Sequence, residues 1–198
     1  MLVTLLLFLT AIIIMKTSKG YSNIMIIKEK VGPTNGFIQV KESPLEEMHE
    51  LVFAIQQKNL DQIEQILNDV SNPSSANYGK HLTKQEVDEL TVNHDGHRQV
   101  LEFLSLIGAE IVSSNDNYIT TKAKIQTWNQ SLNTVFHEYQ HVKKATTVQR
   151  CVDYSLPEDI ASQVSSVMNT VQFPVDIQIG RGPRIGRISL TKDPEIGV

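Results

Sequence analysis

Apolar positions in this chain change their spacing from one segment to the next, and each spacing predicts a different element. Residues 2–15, LVTLLLFLTAIIIM, are almost wholly apolar. As a helix they would span about 21 Å, short of the roughly 30 Å hydrocarbon core of a bilayer. They fit the apolar part of a secretory signal spanning 1–20, with Ser18 and Gly20 as the small residues before a cleavage point. No Lys or Arg precedes the run, so a signal anchor stays open as the alternative. A poorly patterned lead (21–44) follows.

HELVFAIQQ (49–57) is apolar on both faces and predicts a strand in the centre of a sheet. Asn59 then stands where a helix cap is expected, with Gln62 three residues on; Leu60, Ile63, Ile66, Leu67 and Val70 form one helical stripe. Thr83 and Glu86 have capping-box spacing before a short helix with Val87 and Leu90 on its apolar side. Residues 95–108 repeat the helical pattern through Val100, Leu101, Leu104 and Ile107, and Gly108 is placed to end it. Two strand runs surround Asn115-Asp116-Asn117, and Ile125, Trp128 and Leu132 mark the next helix. VFHEYQHV and TTVQRCVDY predict a hairpin around Lys143-Lys144-Ala145. SLPEDIASQVSSVMN (155–169) predicts a closing helix, capped by Ser155 and Glu158, that buries Ile160, Val164 and Val167.

With two inserted helices set aside, the first six elements follow β-α-β-β-α-β. The predicted fold is therefore α+β and ferredoxin-like, an antiparallel sheet with helices packed on one face and a helical insertion. From Phe173 onward Gly, Pro and Arg replace periodicity, which predicts a flexible tail or linker over 173–198.

Composition adds mostly exclusions. The chain has 198 residues, 40% apolar and 20% charged, an ordinary globular balance. A net charge of −4, falling to −6 once Lys16 and Lys19 leave with the signal, gives no basis for nucleic-acid binding. After signal removal no membrane contact is expected either. Cys151 is the single cysteine, so no internal disulfide can form, and a small buried hydrophobe is its expected role. Asn129-Gln130-Ser131 is a glycosylation sequon, relevant if the chain enters the secretory path.

Candidate chemistry is sparse. His94 and His97 lack further ligands for a metal, while His137 and His141 would stand some 13 Å apart along a strand. No nucleophile elbow or phosphate-cradling loop is present. No catalytic residue, metal site or cofactor is expected.

One segment remains unexplained by these classes: VSNPSSANYGKHLTKQEVDEL, residues 70–90. Pro73 fixes its own φ, and Gly79 supplies either a positive φ or room for a close approach. Tyr78, Lys80 and His81 would then stand on a stiff loop, which either docks on a partner or only connects two helices. Val70, Ser71, Pro73, Ser75, Tyr78, Gly79, Lys80, Leu82, Thr83, Glu86 and Val87 match a run typical of the activation (pro) domain of sedolisin-type serine peptidases, the kumamolisin and tripeptidyl-peptidase group. VLEFLSLIGAEI, the VFHEYQH segment and YSLPEDIASQVSSV extend the match over residues 45–172. The chain thus resembles a zymogen prosegment. The resemblance implies an antiparallel α/β sandwich that chaperones and inhibits a sedolisin-type catalytic domain in a secreted, lysosomal or vacuolar setting.

The family's G-T-S-x-x-x-P motif is absent, and no Glu is followed four residues later by Asp, so the chain itself is expected to be non-catalytic. Two alternatives stand beside this: an N-terminal fragment of a full-length secreted peptidase zymogen, and a ferredoxin-like module binding another ligand. In the inhibitory reading, His81, His94, His97, His137 and His141 would gain charge on acidification and weaken docking.

Overall fold

The computed structural model describes residues 20–175. The expected signal before Gly20 and the expected tail beyond Val175 lie outside the described residues. In chain order come β1 (Met25–Lys30), β2 (Phe37–Glu42), β3 (Met48–Ile55), α1 (Leu60–Ser71), α2 (Lys84–Thr91), α3 (His94–Leu106), β4 (Glu110–Ser114) and β5 (Tyr118–Lys124). They are followed by α4 (Ile125–Ser131), β6 (His137–His141), β7 (Thr147–Arg150), β8 (Asp153–Pro157), α5 (Glu158–Ala161) and β9 (Val164–Met168).

The largest sheet runs β4-β5-β3-β9 with every neighbour antiparallel. Taking β3, α3, β4, β5, α4 and β9 in order gives the β-α-β-β-α-β succession, with its first and third strands at the centre. Side-chain alternation sorts the two faces. Leu51 and Phe53 of β3 pair with Thr121 and Ile119 of β5, and all are fully buried. They meet Val100, Phe103 and Leu104 from α3 and Ile125 and Trp128 from α4 in the main core. The Trp128 indole N–H donates to the His49 carbonyl at 2.9 Å, so the largest core side chain is also satisfied as a donor. Burying each such Leu or Phe contributes about 1.5–3 kcal/mol.

The closing segment departs from the expected helix. Residues 155–169 instead give the end of β8, the four-residue α5, and β9. Leu156 pairs with Ile26 and Ser155 with Ile27 of β1, while Val167 pairs with Phe53 and Val164 with Ile55. Ser155 is thus buried in a strand and caps nothing; Pro157 precedes α5 without a side-chain cap. Ile160, Val164 and Val167 are buried as expected, but from two different elements. Partners of high sequence separation decided this, because a Val-Ser-Ser-Val run offered the central strand β3 the neighbour it lacked.

The inserted helices are also different ones. The helix that crosses over the sheet is α3, whereas α1 and α2 form the insertion. Only Val70 of α1 is buried, and it is not part of the main core. Nor does Asn59 cap α1 with its side chain: it sits at φ 54° and its Nδ2 donates to the Leu90 carbonyl at 2.8 Å, tying the start of α1 to the end of α2. The Thr83–Glu86 capping box forms as read from the sequence. Gly108 ends the α3 segment at φ 74°.

The unpatterned lead supplies two strands. β1 pairs with β8, and β2 pairs with β6, which pairs with β7. Tyr154 locks β1 to the main sheet, donating its hydroxyl to Glu29 Oε1 at 2.7 Å and accepting the Val167 N–H at 2.8 Å. Phe37, Tyr139 and Phe173 make a separate small core. Cys151 is fully buried, and burial pushes its thiol up to about 12, well above reactive range.

Candidate docking surface

Three features could meet a partner: the 71–83 loop, the outer face of the main sheet, and the 169–173 segment, behind which lies a half-buried histidine. The loop is built on the Asp69 carboxylate, which accepts from Ser75 Oγ and, at 2.8 Å, from Asn77 Nδ2. These bonds hold the Asp69 carboxyl below its ordinary pKa. The Ser75 hydroxyl accepts from Asn77 N, Asn72 Oδ1 accepts from Ser74 N, and Gly79 N donates to the Val70 carbonyl at 2.8 Å. Short polar side chains therefore take over the hydrogen bonds of turns that have no regular ladder.

Gly79 stands at φ 77° with open space where a Cβ would be. Positive φ, not a close approach, is what requires glycine there. Pro73, Tyr78, Gly79, Lys80 and His81 all lie on this one loop and all are exposed. Tyr78 is 58% exposed, large for an aromatic ring on an ordered loop. Asn129 lies elsewhere, in α4, half-buried with its Oδ1 accepting the Phe136 N–H at 3.0 Å.

The outer face of the main sheet carries Glu50 and Val52 from β3, Tyr118, Thr120 and Lys122 from β5, and Met168 from β9, all exposed or half-exposed. Leu60, at the start of α1, lines a cavity of about 190 Å³ together with Ala54 and Tyr118 of this face. The apolar side of α1 is therefore continuous with the outer face of the sheet.

Residues 169–173 are pinned along their length. Cys151 N donates to the Thr170 carbonyl at 3.0 Å, and Arg150 Nε donates to the Gln172 carbonyl at 2.7 Å. The Phe173 ring meets Tyr139 edge-on at 4.8 Å and Phe37 at 5.7 Å. Phe173 is thus the aromatic anchor of this segment.

His49 sits behind this segment and has no signature in sequence, being the second residue of an apolar strand. Its Nε2–H donates to the Asn169 carbonyl at 3.0 Å, and its ring packs on Phe136. Burial, opposed by the Asn169 bond and reinforced by Arg150, lowers its pKa; Glu47 and Glu50 pull the other way. The folded state therefore disfavours protonated His49. Unfolded chain takes up that proton as pH falls below about 6.5 while the folded chain resists, so this contribution to stability is present above that pH and lost below it. Melting temperatures at pH 7.5 and pH 5 should fall less for His49→Gln than for the wild type. Equal losses in both proteins would refute the assignment.

Comparison with known proteins places these features in a family. Residues 35–173 match the family described as Pro-kumamolisin, activation domain. The chain is 32% identical over 137 residues to physarolisin of Physarum polycephalum, covering 66% of this chain and 24% of that protein. It is 31% identical over 144 residues to tripeptidyl-peptidase 1 of Rattus norvegicus, covering 70% and 26%. Tripeptidyl-peptidase SED4 of Arthroderma otae is 27% identical over 161 residues, 79% of this chain and 27% of its own length. The chain thus spans about a quarter of the length of the curated relatives it matches. It belongs to the pro-kumamolisin activation-domain family of sedolisin-type peptidases.

Proposed function

We propose that the chain acts as a prosegment: a non-catalytic module that binds a sedolisin-type catalytic domain, assists its folding and blocks its cleft. The observation that carries this is the family match across 35–173, which covers most of the described fold, combined with an open sheet face and an exposed, internally bonded loop. In this reading Pro73 and Gly79 shape the loop, while Tyr78, Lys80 and His81 touch the partner. The anchored 169–173 segment lies nearest the cleft. A secretory route accompanies the reading, with Asn129 as its glycan acceptor.

The test is inhibition of peptide hydrolysis by a purified sedolisin-type catalytic domain at pH 7. The wild-type chain should inhibit. Tyr78→Ala combined with Lys80→Ala should weaken inhibition roughly tenfold with an unchanged melting temperature, since truncating an aromatic interface anchor commonly costs more than 1 kcal/mol. Undiminished hydrolysis in the presence of wild-type chain would end this reading.

A second reading, that this sequence is part of a longer zymogen, is favoured by the coverage of about a quarter of each relative. It keeps the same docking role within one polypeptide. Transcripts extending past Val198 in frame into a G-T-S-x-x-x-P motif would establish it.

A further inference from the structure

The α1–α2 hairpin has an apolar side that the fold covers only in part: Val70 is buried, while Leu60 and Leu67 stay exposed. Ile63, Ile66, Leu67, His81, Leu82 and Val87 line a shallow groove of about 160 Å³ between the two helices. Beside it Leu60 and Leu67 are 47% and 56% exposed. Residues four and three apart on a helix share a face, so Leu60, Glu64 and Leu67 form one outward stripe. The stripe runs into the outer face of the main sheet through the cavity shared by Leu60, Ala54 and Tyr118.

Charge singles out the same hairpin. Residues 59–91 contain six carboxylates and only Lys80 and Lys84 as cations, a net charge of −4 that equals the formal charge of the whole chain. Most of these carboxylates are engaged locally: Asp69 by Ser75 and Asn77, Glu86 by Thr83, Asp88 by Lys84, and Glu89 by Gln85. Asp61 and Glu64 are exposed, and among the described residues neither has an ion-pair partner. The two unengaged carboxylates thus flank the two exposed leucines.

We infer that the α1–α2 hairpin is a second docking arm, which grips a cationic amphipathic helix on the surface of the peptidase partner. Leu60 and Leu67 receive aliphatic side chains of that helix, and Asp61 and Glu64 face its lysines or arginines. Helix-in-groove docking needs such an apolar stripe, and complementary rim charge sets register and association rate. The inference rests on the proposed prosegment role and adds to it: the hairpin, joined to the sheet face at the Leu60 cavity, selects partners by charge.

The test uses the full chain against a sedolisin-type catalytic domain, with inhibition measured at pH 7 in low and high salt. Leu60→Ser combined with Leu67→Ser removes only exposed side chains, and circular dichroism and melting temperature verify folding. The double variant should inhibit roughly thirtyfold more weakly, the scale of a lost hot spot. Glu64→Lys should weaken inhibition in low salt and flatten its salt dependence. If the wild type inhibits and the leucine variant inhibits equally well, the hairpin is not a docking arm and the prosegment reading stands. If the leucines matter and Glu64→Lys changes nothing, the partner helix is not cationic and the inference is overturned. A wild type that does not inhibit removes both conclusions together.

Discussion

Phe173→Ala should destabilise the protein by about 3 kcal/mol and loosen the 169–173 segment. Phe173 is 7% exposed and provides one of the three aromatic rings of the small core, against Tyr139 and Phe37. Removing a buried phenyl ring costs about 3–5 kcal/mol, and the low end applies because this small core can partly close over the gap. For a chain of this size that corresponds to a melting temperature lower by roughly 6–12 °C. The hydrogen bonds from Cys151 to Thr170 and from Arg150 to Gln172 would then hold a segment whose far end is no longer seated. Faster amide exchange should appear at Gly36 through Ile38 as well, since Phe37 shares the cluster. A variant with wild-type denaturation midpoint would mean that Phe173 only covers the cluster and does not hold it.

Gly96→Ala should destabilise as well, against the ordinary rule that alanine in place of helical glycine gains about 1 kcal/mol. Gly96 lies in the first turn of α3 and is buried. A Cβ there would stand 2.6 Å from Gln163 Oε1 and closer still to Asn93 Nδ2. Asn93 is not free to swing aside. Asn93 caps α3 through Gly96 N–H, and its Nδ2 donates to the Gln56 carbonyl at 3.0 Å and to Gln163 Oε1 at 3.2 Å. The added methyl therefore breaks a cap worth about 1 kcal/mol and crowds a junction where β3, α3 and the approach to β9 meet. A net loss of roughly 2–3 kcal/mol is expected from chemical denaturation. A gain in stability would show that the junction yields without cost.

These two positions also mark the limits of the sequence. The rules for local structure place α2 with its capping box, α3 with its terminal glycine, the β4–β5 hairpin around three Asx residues, and α4 with its buried Trp128. Each depends on residues within a few positions of one another, and each appears as read. The 71–83 loop was legible for the same reason: proline, glycine and short polar side chains impose turns wherever they occur, and the family pattern was carried by those residues. What could not be read was any choice made by distant partners. Residues 155–169 have a helical stripe and become two strands because β1 and β3 offer open edges. α1 has the most regular apolar stripe in the chain, yet α3 takes the sheet and leaves it exposed. Asn59 has a capping side chain and spends it on Leu90.

By itself, then, the sequence determined the α+β class, the locally specified elements, the loop at 71–83 and the family. The tertiary structure alone decided which helix covers the sheet, that the lead supplies two strands, that His49 lies half-buried near Arg150, and that Phe173 is seated in the small core. The physical reason is range. Caps, turns and periodicity act within one or two turns of chain, whereas edge pairing and burial compare surfaces brought together across more than a hundred residues.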